Sequence, residues 1–268
     1  MIHLLTPELF SRLAHQPAVL VQVHATEGSV PREAGSWMLV LAREVVGTIG
    51  GGQLEFQAIE QARQRLASEA GLPPVQRFPL GPSLGQCCGG VVHLRYERVA
   101  PGEAPRLAER LTGPLQPVAL FGGGHVGKAL VNVLATLPYA VTWVDSRDEI
   151  FPAGVPPQVR CEHSDPVQAA VADLAPGSQV LVMSFSHAED LDIVAACLRR
   201  QRERADLPFV GLIGSRTKWA SFRHRLEQKG FTAAEMDHIT CPIGIPGLRG
   251  KEPEVIAVSV AAQLLLRR

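Results

Sequence analysis

Apolar positions follow two regimes along the 268-residue chain. In the second half, short unbroken apolar runs alternate with segments of helical spacing. Residues 118–121, 140–144, 179–185 and 209–213 read as strands, with a weaker one near 159–161. Residues 126–137 read as a helix, with Val126, Leu130, Val133, Leu134 and Leu137 on one side. Residues 188–204 carry Ile193, Val194, Cys197 and Leu198 at helical spacing, residues 219–229 form a helix closed by Gly230, and the last helix spans 253–266. Pro166 is expected to open a further helix reaching Leu174. This alternation, with strands apolar at nearly every position, predicts a parallel sheet covered on both faces. The first half is less regular: strands are expected at 18–24, 36–41 and 91–96. A helix is expected at 55–67, with Phe56, Ile59, Ala62 and Leu66 aligned.

Composition sharpens this division. Residues 28–90 hold 11 of the 25 glycines in less than a quarter of the chain, so backbone there turns tightly or approaches something closely. Residues 101–116 hold Pro101, Gly102, Pro105, Gly113 and Pro114 around a short helical pattern at Leu107 and Leu111. The fold class expected is therefore α/β. A mixed α/β domain spans 1–100, a linker 101–116, and a Rossmann-like doubly wound parallel sheet 117–268.

Lys+Arg and Asp+Glu are 26 each, so the chain lacks the basic excess of a nucleic-acid binder. No apolar run approaches the ~20 residues that span a bilayer. No basic-then-apolar leader is visible, which makes the cytoplasm the expected compartment. Five cysteines, an odd number without C-x-x-C spacing, argue against a disulfide framework and against the usual structural zinc site.

The clearest motif is Gly122-Gly123-Gly124-His125-Val126-Gly127, which matches G-x-G-x-x-G between a strand and a helix. In that context the first glycine permits a tight turn, and the second lets a phosphate approach the backbone. The third lets helix and strand pack closely. Asp145, at the end of the next strand, is placed to accept from a ribose hydroxyl. Arg147 can meet an additional phosphate or lie in solvent. The alternative is a turn that keeps this shape without a nucleotide. At later strand ends, Gly214-Ser215-Arg216 suits an anionic group. Ser186-His187 offers either an acid–base group or a helix cap. In the first half, Gly50-Gly51-Gly52 opens a helix with Glu55 in its first turn, which fits an anion cradle or a structural turn. Gly85-Gln86-Cys87-Cys88-Gly89-Gly90 sets adjacent thiols between glycines. That pattern suits soft metals, sulfur transfer or a strained disulfide. The Tyr-x-x-x-Lys pair of short-chain dehydrogenases is missing, so the nucleotide-type motif lacks a hydride-transfer partner.

Taken in order, these motifs resemble the XdhC/CoxI family, the xanthine dehydrogenase accessory proteins. The matching elements are Gly28-Ser29 to Pro31-Arg32 with Gly35, Gly47 to Glu55, Leu84 to Gly90, and Gly122 to Gly127. They continue with Trp143 to Arg147, Ser186-His187 with Asp192, Gly211 to Arg216, Cys241 to Gly244, and Pro253 to Ser259. The resemblance implies a CoxI-type N-terminal domain before the Rossmann-like one. It implies a chaperone rather than an enzyme, one that binds a molybdopterin-type molybdenum cofactor. Such a chaperone protects the cofactor while a cysteine desulfurase replaces an oxo with a sulfido ligand, then delivers it to xanthine dehydrogenase, acting as a homodimer. The candidate cofactor-binding set is Gly50, Gly51, Gly52, Glu55, Gln86, Cys87, Cys88, Gly122, Gly124, His125, Gly127, Asp145, Arg147, His187, Ser215 and Arg216. Cys87 or Cys88 is the expected contact to the metal end, and no catalytic residue is assigned. Two features depart from the family pattern: Ser186 stands where threonine is usual, and residues 245–250 are altered before the last helix. The alternative is an NAD(P)-dependent oxidoreductase built on Gly122 to Gly127 and Asp145. A third class is a non-catalytic nucleotide sensor or scaffold.

Overall fold

The computed structural model describes residues 7–68, 73–81 and 89–267. Its contacts divide the chain into two units, residues 1–113 and 114–268. In the first, strand β1 (Ala18–Glu27) lies between β2 (Trp37–Val40) and β5 (Val91–Val99), antiparallel to both. Strands β3 (Val45–Gly47) and β4 (Val75–Pro79) complete the order β3–β2–β1–β5–β4. Successive strand residues face opposite sides. Val19, Val21 and Val23 pack with Leu54, Ala58 and Ala62 of α2 (Gly52–Ala67). Ala18 and Leu20 pack on the other side, with Leu9 and Leu13 of α1 (Pro7–Leu13) and with Ala104 and Leu107 of α3 (Ala104–Thr112). Helices on both faces explain why β1 begins as an unbroken apolar run. They also give the segment expected as a linker a structural role, because α3 packs into the first unit.

The second unit is a six-stranded parallel sheet. Its strands are β6 (Gln116–Phe121), β7 (Tyr139–Asp145), β8 (Val159–His163), β9 (Gln179–Val182), β10 (Phe209–Leu212) and β11 (Ile239–Thr240). The spatial order β11–β10–β9–β6–β7–β8 reverses direction between β6 and β9. Helices α4 (His125–Leu134) and α8 (Pro253–Leu265) share a core with one face, through Leu130, Leu134, Val260 and Leu264. Helices α5 (His187–Arg204), α6 (Arg216–Gln228) and α7 (Ala233–Met236) share the other, through Val194, Cys197, Phe222, Leu226 and Met236. This is the expected doubly wound α/β arrangement.

Three differences from the sequence expectation bear on the site. The helix expected after Pro166 is a 3-10 helix, Val167–Asp173, the tighter form common in short connectors. Strand β9 stops at Val182, three residues before the expected end, so Phe185 stands exposed above the sheet. Helix α6 begins at Arg216 rather than at residue 219, because the Ser215 hydroxyl accepts from the Lys218 amide at 3.1 Å and caps it there. The short elements α1, β3, β4, α7 and β11 carry too few residues for a periodic signal. Strand β4 is polar, ends in proline and pairs only with β5, as edge strands do. Among the described residues no helix is long and apolar enough to cross a membrane.

Candidate functional site

Open α/β sheets receive ligands beyond the carboxyl ends of their strands, where the strand order reverses. Here that point lies between β6 and β9, and the glycine motif occupies it. Gly122 has φ 125°, and a side chain there would put its Cβ 2.0 Å from the Met183 carbonyl oxygen at the end of β9. A Cβ at Gly127 would lie 2.1 Å from the Gly122 carbonyl oxygen, so α4 sits directly on the turn. Trp143 Nε1 donates to that same oxygen at 3.0 Å. Gly122 and Gly127 are therefore required by packing alone. Gly124 is different: it caps α4 without a side-chain hydrogen bond, and open space surrounds its Cβ position. With exposed His125 it presents the amino end of α4 to solvent, where partial positive charge favours an anion.

Asp145 closes β7 beside this turn, and its oxygens are already engaged. Oδ1 accepts from the Arg147 amide at 2.9 Å and from Arg147 Nε at 2.8 Å. Oδ2 accepts from the Gly123 amide at 2.6 Å and from Arg147 Nη2 at 2.9 Å. Its side chain is 1% exposed. Burial pushes its carboxyl pKa up, but the hydrogen bonds from Arg147 and Gly123 outweigh that and hold it below the usual carboxylate range. The group expected to read a ribose hydroxyl is thus held by the chain itself. Arg147, expected to meet a phosphate or solvent, clamps Asp145 and lays its guanidinium 4.6 Å from the ring centroid of Phe185.

At the neighbouring strand ends lies a carboxylate–lysine pair not anticipated from sequence. Asp190 Oδ1 accepts from the Ser184 amide and hydroxyl, each at 2.8 Å. Lys218 Nζ donates to Asp190 Oδ2 at 2.6 Å and to the Ile213 carbonyl at 2.8 Å. Both side chains are nearly buried. One signal was available: Lys218 is one of only four lysines beside 22 arginines. His187 is the exposed first residue of α5, edge-on to Phe222 at 6.3 Å, while Ser186 caps that helix by accepting from the Glu189 amide. Ser215 likewise serves as a cap. Arg216 is exposed and has no hydrogen-bonded or ion-paired partner among the described residues.

In the first unit, Gly50, Gly51 and Glu55 come together in a local hydrogen-bond network, and Gly52 begins α2 beside it. Glu55 Oε2 accepts from the Thr48 hydroxyl at 2.5 Å, the Ile49 amide at 2.9 Å and the Gly51 amide at 3.2 Å. The Gly50 amide donates to Thr48 Oγ1 at 3.1 Å. A Cβ at Gly50 would meet the Pro31 ring at 2.9 Å, and one at Gly90 would meet the Ser29 carbonyl at 2.4 Å. The turn at Gly28 to Arg32 thus packs against both glycine segments. Gln86, Cys87 and Cys88 lie outside the described residues. Among the described residues, no three His, Cys, Asp or Glu side chains converge as a metal-binding group.

Comparison with known proteins adds to this geometry. Residues 118–264 match the family model described as XdhC Rossmann domain, and residues 11–79 match the XdhC and CoxI family. A curated relative from Escherichia coli strain K12, named Uncharacterized protein YqeB, is 26% identical over 254 residues, covering 93% of this chain and 43% of that protein. The chain thus spans less than half the length of the curated relative it matches. The crystal structure of a xanthine dehydrogenase from Bacillus halodurans aligns with a TM-score of 0.77 at 20% identity, over 100% of this chain and 96% of that one. At that identity the likeness is one of fold.

Proposed function

This chain belongs to the XdhC/CoxI family, and on that premise we propose that it is an accessory protein of xanthine dehydrogenase. In this reading it holds a molybdopterin-type molybdenum cofactor, supports its sulfuration by a cysteine desulfurase and delivers it to the dehydrogenase. It works in the cytoplasm as a homodimer. The cofactor, when bound, supplies a soft metal centre on a dithiolene, a polar pterin and a phosphate.

The observation that carries the reading against a dinucleotide enzyme is the state of Asp145. A carboxylate that already accepts four hydrogen bonds from Gly123 and Arg147 has no lone pair left for a ribose diol. What stays open is an amino-terminal helix end at Gly124 and His125 and the unpaired cation of Arg216. Those groups fit an anion-bearing cofactor that is not read through its ribose.

The thiols sort in the same direction. Burial pushes Cys197 up to about 12, Cys241 up to about 11, and Cys161 above its ordinary value. Burial thus disfavours the thiolate at all three, and the thiolate is the form that attacks or binds soft metals. Sulfur handling in this reading falls to Cys87 or Cys88, on the strength of their glycine-flanked motif.

The test is to purify the protein from cells that make the cofactor and to identify what accompanies it. Molybdopterin is the expected companion; NAD(P) without it overturns the reading in favour of an oxidoreductase, and no companion at all favours a scaffold. Replacing Cys87 and Cys88 together with alanine should abolish cofactor retention or sulfido delivery with the fold intact. Undiminished delivery by that variant would refute the assigned role of the two thiols.

A further inference from the structure

The segment 242–250, whose residues 245–250 depart from the family pattern, forms one wall of a cleft of which the preceding assignments use only Arg216. The cleft has a volume of about 450 Å³ and lies between this segment, the amino-terminal half of α8 and Arg216 at the start of α6. That volume falls within the range of pockets for small organic ligands.

The cleft is preformed. The Gly244 amide donates to Gln263 Oε1 at 2.8 Å, and the Ile245 amide donates to Ser259 Oγ at 2.7 Å, so two side chains of α8 pin the loop. Gly244 has φ 103°, and a Cβ there would lie 2.6 Å from Ser259 Oγ. Only glycine lets the loop approach this closely. The result is a rigid floor of backbone and apolar side chains: Ile243, Ile245, Leu248, Val255 and Ile256. Arg216 is the one charged residue in the lining.

Such a lining selects for chemistry. Apolar walls and glycine backbone accept the faces of a flat ring. A guanidinium without a protein partner takes an anion, in a charge-assisted hydrogen bond. We propose that this cleft binds a planar nitrogen heterocycle carrying one anionic group, with the ring against Ile243, Ile245 and Ile256 and the anion on Arg216. The proposal deepens the cofactor-holding reading above and rests on it for the choice of a pterin as the heterocycle. A purine nucleotide shares the same chemistry.

The test titrates the full-length protein with fluorescent pterin-6-carboxylate, with AMP and inorganic phosphate as competitors. Wild type should quench the pterin saturably. Arg216→Gln should weaken binding about tenfold, the loss expected for one charge-assisted hydrogen bond. Leu248→Glu should weaken it at least as much, by placing a second anionic group in the cleft that Arg216 lines. Both positions are exposed, so melting temperatures should match wild type. Phosphate should compete more weakly than the carboxypterin, and equal competition overturns the ring site. Titrations that fail for every probe, or that ignore both substitutions, overturn the cleft as a site and leave the chaperone reading to the co-purification test. Arg216-dependent binding of AMP without any of the pterin keeps the cleft and overturns the cofactor reading.

Discussion

The molecule holds two glycine turns that open helices, Gly50 to Gly52 before α2 and Gly122 to Gly124 before α4, and in each a carboxylate of the chain itself accepts from the turn's amides. In the first unit the carboxylate is Glu55, from the first turn of the same helix, and it accepts from Ile49 and Gly51 with no ion-paired cation among the described residues. In the second it is Asp145, from the adjacent strand, and Arg147 neutralises it. The first device, with Thr48, pairs the amides of Ile49, Gly50 and Gly51. The second takes only the Gly123 amide and leaves the helix end at Gly124 open. A glycine-rich turn therefore does not announce a ligand site. What decides the matter is how many of its amides the chain satisfies, because an amide already paired offers little to a ligand.

Four substitutions test this contrast. The largest effect should come from Gly122→Ala. Its Cβ would meet the Met183 carbonyl at 2.0 Å, and neither backbone segment can yield. A loss of about 3 kcal/mol or more is expected in denaturant unfolding, or failure to fold. Gly50→Ala, whose Cβ would meet only the Pro31 ring at 2.9 Å, should cost less, about 1–2 kcal/mol. Equal losses would mean that the two turns are built alike.

Arg147→Ala should come next. It leaves a buried carboxylate with only backbone donors, and a cost of about 2 kcal/mol is expected, below the range for fully buried pairs because Arg147 is 35% exposed. The pH dependence has a definite sign. Asp145 is depressed in the folded protein. Its contribution is therefore present above the unfolded carboxyl value, about 3.9, and is lost as pH falls through the lower folded value. Without Arg147 the folded value rises, and the midpoint of acid unfolding should move to higher pH. An unmoved midpoint would show that Arg147 does not hold Asp145.

The smallest effect should follow Glu55→Gln. The amide oxygen can still accept from Ile49 and Gly51, so a loss of about 0.5–1 kcal/mol is expected in thermal or denaturant unfolding. A loss as large as that of Arg147→Ala would mean that the Glu55 charge, rather than its shape, closes the first turn.

Much of the second unit was legible because its signals are local. Apolar runs at 118–121, 140–144 and 209–213 lie within β6, β7 and β10 or extend them by one residue. The G-x-G-x-x-G spacing is met by a real strand–turn–helix junction, and the close packing at Gly122 and Gly127 follows from it. Ser186 was readable as a helix cap and is one, whereas Ser215, read as part of an anion-binding turn ahead of a helix at 219, proves to cap α6. Less was legible where one residue had two competing uses. Asp145 suited a ribose or an arginine, and the arginine two residues later won because it reaches both oxygens. The early end of β9 was hidden because Ser184 turns out of the sheet to donate to Asp190. Nothing in the run of residues marked that partner.

The sequence by itself determined the alternation of the longer strands and helices in the second unit, the main glycine turns and the membership of a family, because these depend on spacing, on side-chain periodicity and on where only glycine fits. Tertiary structure alone decided which carboxylate faces which amide or cation. Gly123 and Asp145 are 22 residues apart, and Asp190 and Lys218 are 28 apart. Such partners meet only when parallel strands bring their ends to one edge of a sheet. The same edge leaves Arg216 without a partner, and hydrogen bonds between backbone and side chain, not spacing, set the cleft beside it.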